Sequence, residues 1–503
     1  MKMPEIVANT RASLESRPRF AKIDRGEVAR FSLFALVGAL AILYPFFALG
    51  SLAGAAVLGM CGLGVMYLRR VGLELWQVLL LITLSGYMLL NYGFENLAIH
   101  LGGFPVIISY GLMYASLALA VFSGRHWLTR ALKEPAMCCL LALILLASLH
   151  LLLDIPSYGV WAIRDASMFL DGIFLLLGLL WAMRKNSSIP LMKWLMVVFV
   201  LNLIYSFTLP WGKKLWSWSP QSGVFLQVPL LGNYRGNAEI LASGAVFCIC
   251  LGGYMVKRPR WMMLFLAMAQ LLGLAIEQTR RMYVGIVIVL IILALLGEAK
   301  KFARLFTMLA SGIVVVFLLT AVGGLEISGR IGPVTMSFFK EHIRSISGVE
   351  GTPGSSVQSR FDWTDEALEH VRSHPVLGEG FGLPLLNYVD EDNGAVVRMP
   401  HNSSLTILAR LGAIGFAIWI AFHFCLMKRF IYAFRQRRCC DKRLYSFVLW
   451  FFLFYVLFMV ASFVEGPLEF PSSAVPFYFL TGFTLGLVRW HLPQNANADW
   501  LRS

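Results

Sequence analysis

Apolar runs of about 20 residues, separated by short charged segments, constrain this chain more than any other feature. A helix needs about 20 apolar residues to cross the roughly 30 Å hydrocarbon core of a bilayer. The sequence therefore predicts an all-α polytopic integral membrane protein with about 14 transmembrane helices and a large, partly helical extracytoplasmic loop. The predicted spans lie near residues 31–49, 51–68, 75–93, 98–122, 136–153, 167–183, 189–207, 237–256, 261–278, 282–296, 305–325, 403–427, 445–463 and 472–488.

The composition excludes the soluble classes that a basic chain otherwise suggests. Hydrophobic residues make up 58% of the 503 residues and charged residues 14%, whereas soluble domains contain about 45–50% and about 25%. The net charge of +15 comes from short basic clusters between apolar runs, the arrangement that sets membrane topology. We therefore expect contacts with membrane lipid and no nucleic-acid partner.

The basic clusters fall in alternate loops, which predicts that both termini are cytoplasmic. The predicted organisation comprises a basic cytoplasmic tail at 1–30, a membrane domain of about 11 helices at 31–325, a large extracytoplasmic loop at 326–402, three last helices at 403–488, and a cytoplasmic tail at 489–503. Long loops in compact domains are usually functional, so we expect the chemistry in the two long outer segments, 208–236 and 326–402.

Two adjacent arginines, Arg280 and Arg281, stand between apolar runs on the predicted outer side, where basic residues are least expected. Charges near membrane depth are costly and usually functional, and guanidinium groups match phosphate oxygens bidentately. The pair therefore indicates an anion site. The alternative is a simple turn in which Arg281 pairs with Glu277.

Two further arginines, Arg164 and Arg235, precede predicted spans at the same membrane level. Each alone is explained as an interface anchor. Together with Arg280 and Arg281 they concentrate guanidinium groups at the outer face, an arrangement that favours a diphosphate ligand over a neutral sugar or lipid.

The outer loop carries a predicted helix at 360–375, a glycine-rich turn from Gly378 to Gly382, and His401-Asn402 at the start of the span 403–427. Asn402 or Ser403 is expected to cap that helix. His401 can serve as a base near neutral pH, but its position alone fits a structural interface histidine as well.

Three motifs in this region resemble the O-antigen ligase superfamily, which includes lipopolysaccharide O-antigen ligases and polysaccharide polymerases of the Wzy type. They are Arg360-x-x-Trp363-x-x-x-Ala367, Pro375-x-Leu377-Gly378-x-Gly380-x-Gly382, and His401-Asn402 followed after nine residues by Gly412-x-x-Gly415. The Thr279-Arg280-Arg281 element and the Asn-rich start of the span at 237 are also similar to family elements. The resemblance covers about 190 residues, 232–420.

The resemblance implies an inverting, metal-independent glycosyltransferase in the bacterial inner membrane, with no cofactor. The donor would be an undecaprenyl-diphosphate-linked glycan, and the acceptor a glycan or glycolipid at the periplasmic face. By family correspondence His401 would be the catalytic base. Arg280 or Arg281, with Arg164, Arg235 and Arg410, would bind the diphosphate. The acceptor and loop motif would comprise Arg360, Trp363, Glu379, Asn402, Gly412 and Gly415.

Two positions depart from the family pattern. Arg410 stands where the family usually has a carboxylate, so it either contacts phosphate or pairs with a buried acid such as Asp171. Glu379 stands where the family often has a small or apolar residue, and it either competes with His401 as the base or binds sugar.

The sequence leaves the choice between ligase and polymerase open. An alternative from another class is a lipid-linked oligosaccharide flippase, which can also have about fourteen helices. Transporters are usually built from repeats with ionisable residues at the midplane, whereas here the charges gather at the outer face. A non-catalytic assembly subunit would leave the outward arginines unexplained.

Overall fold

The computed structural model describes residues 72–101, 104–184, 188–223, 228–234, 236–255, 260–318, 320, 328–335, 340, 355–389, 396–438 and 440–492. The predicted spans 31–49 and 51–68, the N-terminal tail and Arg235 lie outside these residues, as does most of the C-terminal tail. The predicted number of spans therefore stays a prediction.

Helices dominate the described residues, and most of the long ones coincide with apolar runs. In chain order they are α1 Leu75–Glu95, α2 Ile108–Ser123, α3 Arg125–Leu132, α4 Pro135–Tyr158, α5 Val160–Leu170, α6 Leu175–Ala182, α7 Ser188–Ser206, α8 Gly212–Trp218, α9 Asn237–Met255, α10 Arg260–Glu277, α11 Arg280–Leu295, α12 Ala299–Phe317, α13 Ser355–Ser373, α14 Ser403–Arg435, α15 Lys442–Ser462 and α16 Pro471–His491. Short 3-10 helices occupy Asp171–Phe174, Leu209–Trp211 and Pro467–Glu469.

Within the described residues, eight helical segments are long and apolar enough to cross a membrane, which confirms an all-α polytopic membrane protein. They are Leu75–Glu95, Pro135–Tyr158, Val160–Ala182, Ser188–Ser206, Asn237–Tyr254, Ser403–Arg435, Lys442–Ser462 and Pro471–His491. Val160–Ala182 combines α5, a 3-10 turn and α6.

Among the described residues there are also three short antiparallel strand pairs: β1 Ala98–Leu101 with β2 Phe104–Ile107, β3 Gln221–Ser222 with β4 Val228–Pro229, and β5 Tyr388–Val389 with β6 Val396–Val397. The first corrects the predicted span 98–122, whose helix begins only at Ile108. Gly102-Gly103 separates the two strands in the sequence, and Gly-Gly is a hairpin signal that hydropathy alone does not detect.

Two other predicted spans have wrong boundaries. The span at 167–183 begins earlier, at Val160, and the span at 403–427 continues to Arg435. Charges interrupt both apolar runs, but helical hydrogen bonding continues through charged residues whose side chains find partners. Asp165 and Arg429 are such residues, because each forms a buried or half-buried ion pair.

The buried carboxylate of Glu134 joins three helices at one end of the bundle. Glu134 precedes α4 and is 1% exposed. Arg429 of α14 donates to its two oxygens over 3.0 and 3.1 Å, and Arg489 of α16 donates over 2.5 Å. Two cations around one buried acid offset its desolvation, so this cluster fixes the helices at the end opposite to the candidate site.

The other end of the bundle, which we call the loop face, carries the connections in which chemistry was predicted. Here meet the α7–α9 connection, the α10–α11 turn, helix α13, the start of α14 and the α15–α16 connection. They are joined through contacts such as Arg281 with Glu239, Arg281 with Glu465, and Thr406 with Glu469.

Candidate active site at the loop face

The α10–α11 turn presents Arg280 and Arg281 at the loop face and holds a third arginine beside them. The side chain of Gln278 accepts from the backbone N–H groups of Ile331 and Gly332 over 2.7 and 3.1 Å, and donates to the Gly332 carbonyl over 2.8 Å. The backbone N–H of Arg330 donates to the Ile276 carbonyl. The turn therefore holds the segment that carries Arg330 by hydrogen bonds. The sequence did not predict Arg330 as a residue of the site.

Arg281 is committed to two carboxylates. Its Nη2 lies 2.5 Å from Glu239 Oε1, its Nη1 contacts Glu465, and its side chain is 8% exposed. The predicted alternative, a pairing with Glu277 one turn earlier, is wrong. Glu239 begins α9 and Glu465 lies between α15 and α16, so Arg281 joins three segments that are remote in sequence.

Arg360 completes a cluster of guanidinium groups. It lies half-buried on α13, and its pKa is lowered by burial and then by the positive charges of Arg280 and Arg281. The neighbouring positive charges that lower the pKa of Arg360 also make its charged form less favourable unless an anion compensates them. The cluster is therefore suited to a phosphate or diphosphate group.

His401 packs against Trp363, which lies one helical turn after Arg360 on α13. Its ring packs against Trp363 with centroids 5.4 Å apart, and Trp363 in turn packs against Tyr388 at 5.5 Å. Trp363 follows Arg360 by three residues on α13, about 4.5 Å along the helix axis. Helix α13 thus brings the imidazole of the third motif toward the arginines.

The backbone around His401 is specialised for the start of α14. His401 has a positive φ of 52°, which non-glycine residues adopt mainly at constrained sites. Asn402 is the N-cap, and its side chain accepts from the Leu405 N–H over 3.1 Å. The cap is therefore Asn402, and Ser403 is the first helical residue.

The glycine turn and the Gly412-x-x-Gly415 motif form one structure. Gly412 has a φ of 60° and breaks α14. The loop supplies the hydrogen bonds that the break removes: Glu379 N–H donates to the Ala409 carbonyl over 2.8 Å, and Ala413 N–H donates to the Pro375 carbonyl over 2.9 Å. Unpaired backbone groups at membrane depth are costly, which explains why these two motifs occur together.

A side chain at either facing glycine would prevent this docking. A Cβ at Gly412 would overlap the Val376 carbonyl, and a Cβ at Gly378 would overlap the backbone of Arg410. Both residues also have positive φ, 60° and 81°, a region that favours glycine. Gly415 lies in the helical part of α14, against Leu411.

Arg410 pairs with a buried acid, but the acid is Asp165 and not Asp171. Arg410 Nη2 lies 3.0 Å from Asp165 Oδ2, and both side chains are fully buried. Its Nη1 donates to the carbonyls of Gly380 and Leu383 over 3.0 and 2.7 Å. The guanidinium therefore faces the glycine turn and α5.

Two acids from the membrane helices hold the same turn. Asp154 accepts from the Phe381 N–H over 2.7 Å, and Asp165 accepts from the Gly382 N–H over 3.1 Å and from Arg398 over 3.0 Å. The N–H groups of residues 379–382 all donate to protein acceptors, so this glycine turn is not a phosphate cradle. Arg398 is a second residue that the sequence reading missed.

The remaining predicted residues lie at the edge of this arrangement. Glu379 contacts two histidines, His370 of α13 with Nδ1 at 3.4 Å and His374, directly after this helix, with Nδ1 at 2.7 Å. Arg164 is exposed and lies over the Trp161 ring at 5.3 Å. The structure therefore brings Arg280, Arg281, Arg360, Trp363 and His401 together, whereas Glu379 and Arg410 contact other partners.

Glu469, which the sequence reading also missed, lies beneath the start of α14. The Thr406 hydroxyl lies 2.7 Å from Glu469 Oε1 and 3.0 Å from the Asn402 carbonyl. Burial raises the pKa of Glu469 to about 7, against the opposing effects of the Thr406 hydrogen bond and of Arg410 and Arg164. The only sequence signal for Glu469 is its position between two predicted spans, in Gly466-Pro467-Leu468-Glu469.

A cavity of about 320 Å³ opens beside Arg281. Its lining includes Trp216, Asn233, Tyr234, Thr279, Arg281, Arg330 and Glu465. The sequence predicted chemistry in the two outer segments that supply most of these residues, but not which side chains share one cavity. Within the described ranges, no three His, Cys, Asp or Glu side chains are grouped as metal ligands.

Comparison with known proteins agrees with the resemblance in the motifs. Residues 264–420 match the family model described as O-antigen ligase, and these residues include the arginine turn, α13, the glycine turn and His401. An O-antigen ligase of Pseudomonas aeruginosa is 25% identical over 272 residues, which are 50% of this chain and 60% of that protein. The match thus spans about 60% of the relative's length.

Proposed function

We propose that this protein is a membrane glycosyltransferase, because residues 264–420 match the family model described as O-antigen ligase. It transfers a glycan from undecaprenyl diphosphate to an acceptor sugar hydroxyl, at the periplasmic face of the bacterial inner membrane. The single observation that carries this proposal is the convergence of His401 and Trp363 with Arg280 and Arg360 at the loop face.

The proposed step is an inverting displacement without a metal. The acceptor oxygen attacks the anomeric carbon, the bond from that carbon to the diphosphate oxygen breaks, and His401 takes the hydroxyl proton. Negative charge develops on the leaving undecaprenyl diphosphate. Arg280 and Arg360 stabilise it, since guanidinium groups fixed in place before the reaction need little reorganisation.

The contacts support different roles for the other arginines. Arg281 is neutralised by Glu239 and Glu465, so we propose that it positions the α11 terminus. Arg410 and Asp165 hold the glycine turn, so we assign Arg410 a positioning role in place of a diphosphate contact. Arg164, exposed at the edge, remains a proposed contact for the lipid diphosphate, as does Arg235.

The proposal is tested by replacing His401 with alanine in the purified, membrane-reconstituted protein and following transfer from lipid-linked glycan to acceptor. We expect transfer to fall by at least 100-fold, the lower range for loss of a general base (about 10²–10⁴). His374→Ala is the matched control, because His374 is on the same loop and half exposed. Transfer at the wild-type rate by His401→Ala would overturn the role of His401.

The two candidate arginines are separated by measuring activity and thermal stability together. Arg280→Ala should abolish transfer with little change in Tm, whereas Arg281→Ala should lower both, because it leaves Glu239 and Glu465 without their shared cation.

Deletion of the gene distinguishes the remaining functions. Long glycans stranded on the lipid carrier outside indicate a ligase, and single repeat units outside indicate a polymerase. Undecorated lipid-linked units retained inside would instead support the flippase alternative.

A further inference from the structure

We propose that the cavity beside Arg281 is a saccharide subsite, which binds a neutral sugar ring next to the diphosphate site. This inference rests on the proposed function, because it names a substrate group that the transferase would hold. The sugar belongs either to the lipid-linked donor or to the acceptor glycan, and both sources share the same chemistry, a ring with C–H faces and a rim of hydroxyl groups.

The cavity lining combines an aromatic surface with hydrogen-bond donors and acceptors. Trp216 is 44% exposed and lines the cavity with Tyr234 and Asn233. An indole ring offers an apolar face to the C–H groups of a sugar. The amide of Asn233, the carboxylate of Glu465 and the guanidinium of Arg281 offer both acceptors and donors to hydroxyl groups.

The charge distribution favours a neutral ligand over an anion. Arg281 already contacts Glu239 and Glu465, so an incoming phosphate would meet two carboxylates at that guanidinium. A hydroxyl group, by contrast, can accept from Arg281 and donate to Glu465 without separating them.

The walls of the cavity are held in place before any ligand arrives. Tyr234 stacks on Tyr205 with ring centroids 4.9 Å apart, and its hydroxyl lies 2.9 Å from that of Thr208. The Gly232 N–H donates to the Tyr205 hydroxyl over 3.0 Å. A Cβ at Gly232 would lie 2.8 Å from the backbone nitrogen of Trp216. The backbone therefore packs directly against α8 and fixes Trp216, and such preorganisation lowers the entropic cost of binding.

The opposite wall comes from the segment clamped by Gln278. Three hydrogen bonds from one amide to Ile331 and Gly332 hold Arg330 at the cavity. The subsite is thus assembled from the α7–α9 connection, the α10–α11 turn and the large loop. It adjoins the cluster of Arg280 and Arg360 through Arg281, which would place a bound sugar beside the bound diphosphate.

The test measures binding to the full-length protein in lipid nanodiscs, in a His401→Ala background that prevents turnover. The probes are undecaprenyl diphosphate without sugar, lipid-linked glycan extracted from cells that lack the gene, and the surface glycolipid of the same cells. Trp216→Ala is compared with Trp218→Ala, because Trp218 is on the same helix and 70% exposed but does not line the cavity.

We expect Trp216→Ala to weaken one sugar-bearing probe about tenfold, which corresponds to roughly 1.4 kcal/mol. Trp218→Ala and the binding of bare undecaprenyl diphosphate should be unchanged. Loss confined to the lipid-linked glycan assigns the subsite to the donor, and loss confined to the glycolipid assigns it to the acceptor. Equal weakening of bare undecaprenyl diphosphate, or no weakening of either glycan, would overturn the proposal.

Failure of this inference is distinct from failure of the proposed function. If wild-type protein transfers no glycan but Trp216 still contributes to sugar binding, the transferase proposal fails and the subsite stands. If transfer occurs and Trp216→Ala binds both glycans like wild type, the subsite fails alone. A Tm within a few degrees of wild type verifies that Trp216→Ala is folded.

Discussion

The ion pair between Asp165 and Arg410 offers the sharpest test of how the loop is attached to the membrane helices. Replacing Arg410 with methionine keeps most of the side-chain volume but removes the cation. Asp165 and Arg410 are fully buried, and breaking a buried pair by removing one partner costs about 3–5 kcal/mol. The carbonyls of Gly380 and Leu383 also lose their shared donor.

The complementary change, Asp165→Leu, is expected to be more damaging. Asp165 also neutralises Arg398 and accepts from the Gly382 N–H, so its loss leaves two cations near one another. The double variant Asp165→Leu with Arg410→Met should lose less than the sum of the single losses, since it removes both members of the pair, although Arg398 still loses its contact with Asp165.

Thermal unfolding in detergent measures these effects, with glycan transfer and diphosphate binding recorded on the same preparations. Tm should fall clearly in both single variants and recover in part in the double variant. Arg280→Ala is the control, because its partly exposed side chain should matter to transfer and little to Tm. An Arg410→Met protein with wild-type Tm but lost diphosphate binding would refute the positioning role and restore the phosphate contact predicted from the sequence.

Three further predictions concern single residues. Burial raises the pKa of Glu469 to about 7 from an ordinary value of 4.5, so its contribution to the free energy of unfolding is most favourable below pH 4.5 and is lost as the pH rises through 7. Between pH 5 and 8, the Tm of Glu469→Gln should therefore fall less than that of the wild type. Equal slopes of Tm against pH for the two proteins would contradict this. Gly412→Ala should lower the free energy of unfolding by at least about 1–3 kcal/mol, because φ is positive and the new Cβ would overlap the Val376 carbonyl. An unchanged Tm would show that stability does not require the break in α14. Asn402→Ala should cost about 1 kcal/mol through the lost N-cap, whereas Asn402→Asp should retain stability, and equal Tm values for the two would argue against the cap.

The motifs predicted the parts of the site that are close in sequence. The spacing from Arg360 to Trp363 and the step from His401 to Asn402 each lie within one helical turn or one cap, so helix geometry alone determines their relation. These relations depend on local conformation, which short sequence patterns encode.

Charge partners were predicted poorly. Arg281 was expected to pair with Glu277 or to bind phosphate, and Arg410 with phosphate or Asp171. In the structure they pair with Glu239, Glu465 and Asp165. Arg281 lies 42 residues from Glu239, and Arg410 lies 245 residues from Asp165.

The sequence by itself determined that this chain is a helical membrane protein, because the free energy of transferring each apolar run into lipid is a sum over neighbouring residues. Only the tertiary structure decided which arginines carry compensated charge, that Arg330 and Glu469 belong to the site, and that Trp216 and Tyr234 share a cavity. Electrostatic and packing energies depend on distances through space, and helix packing sets those distances between segments that the sequence keeps far apart.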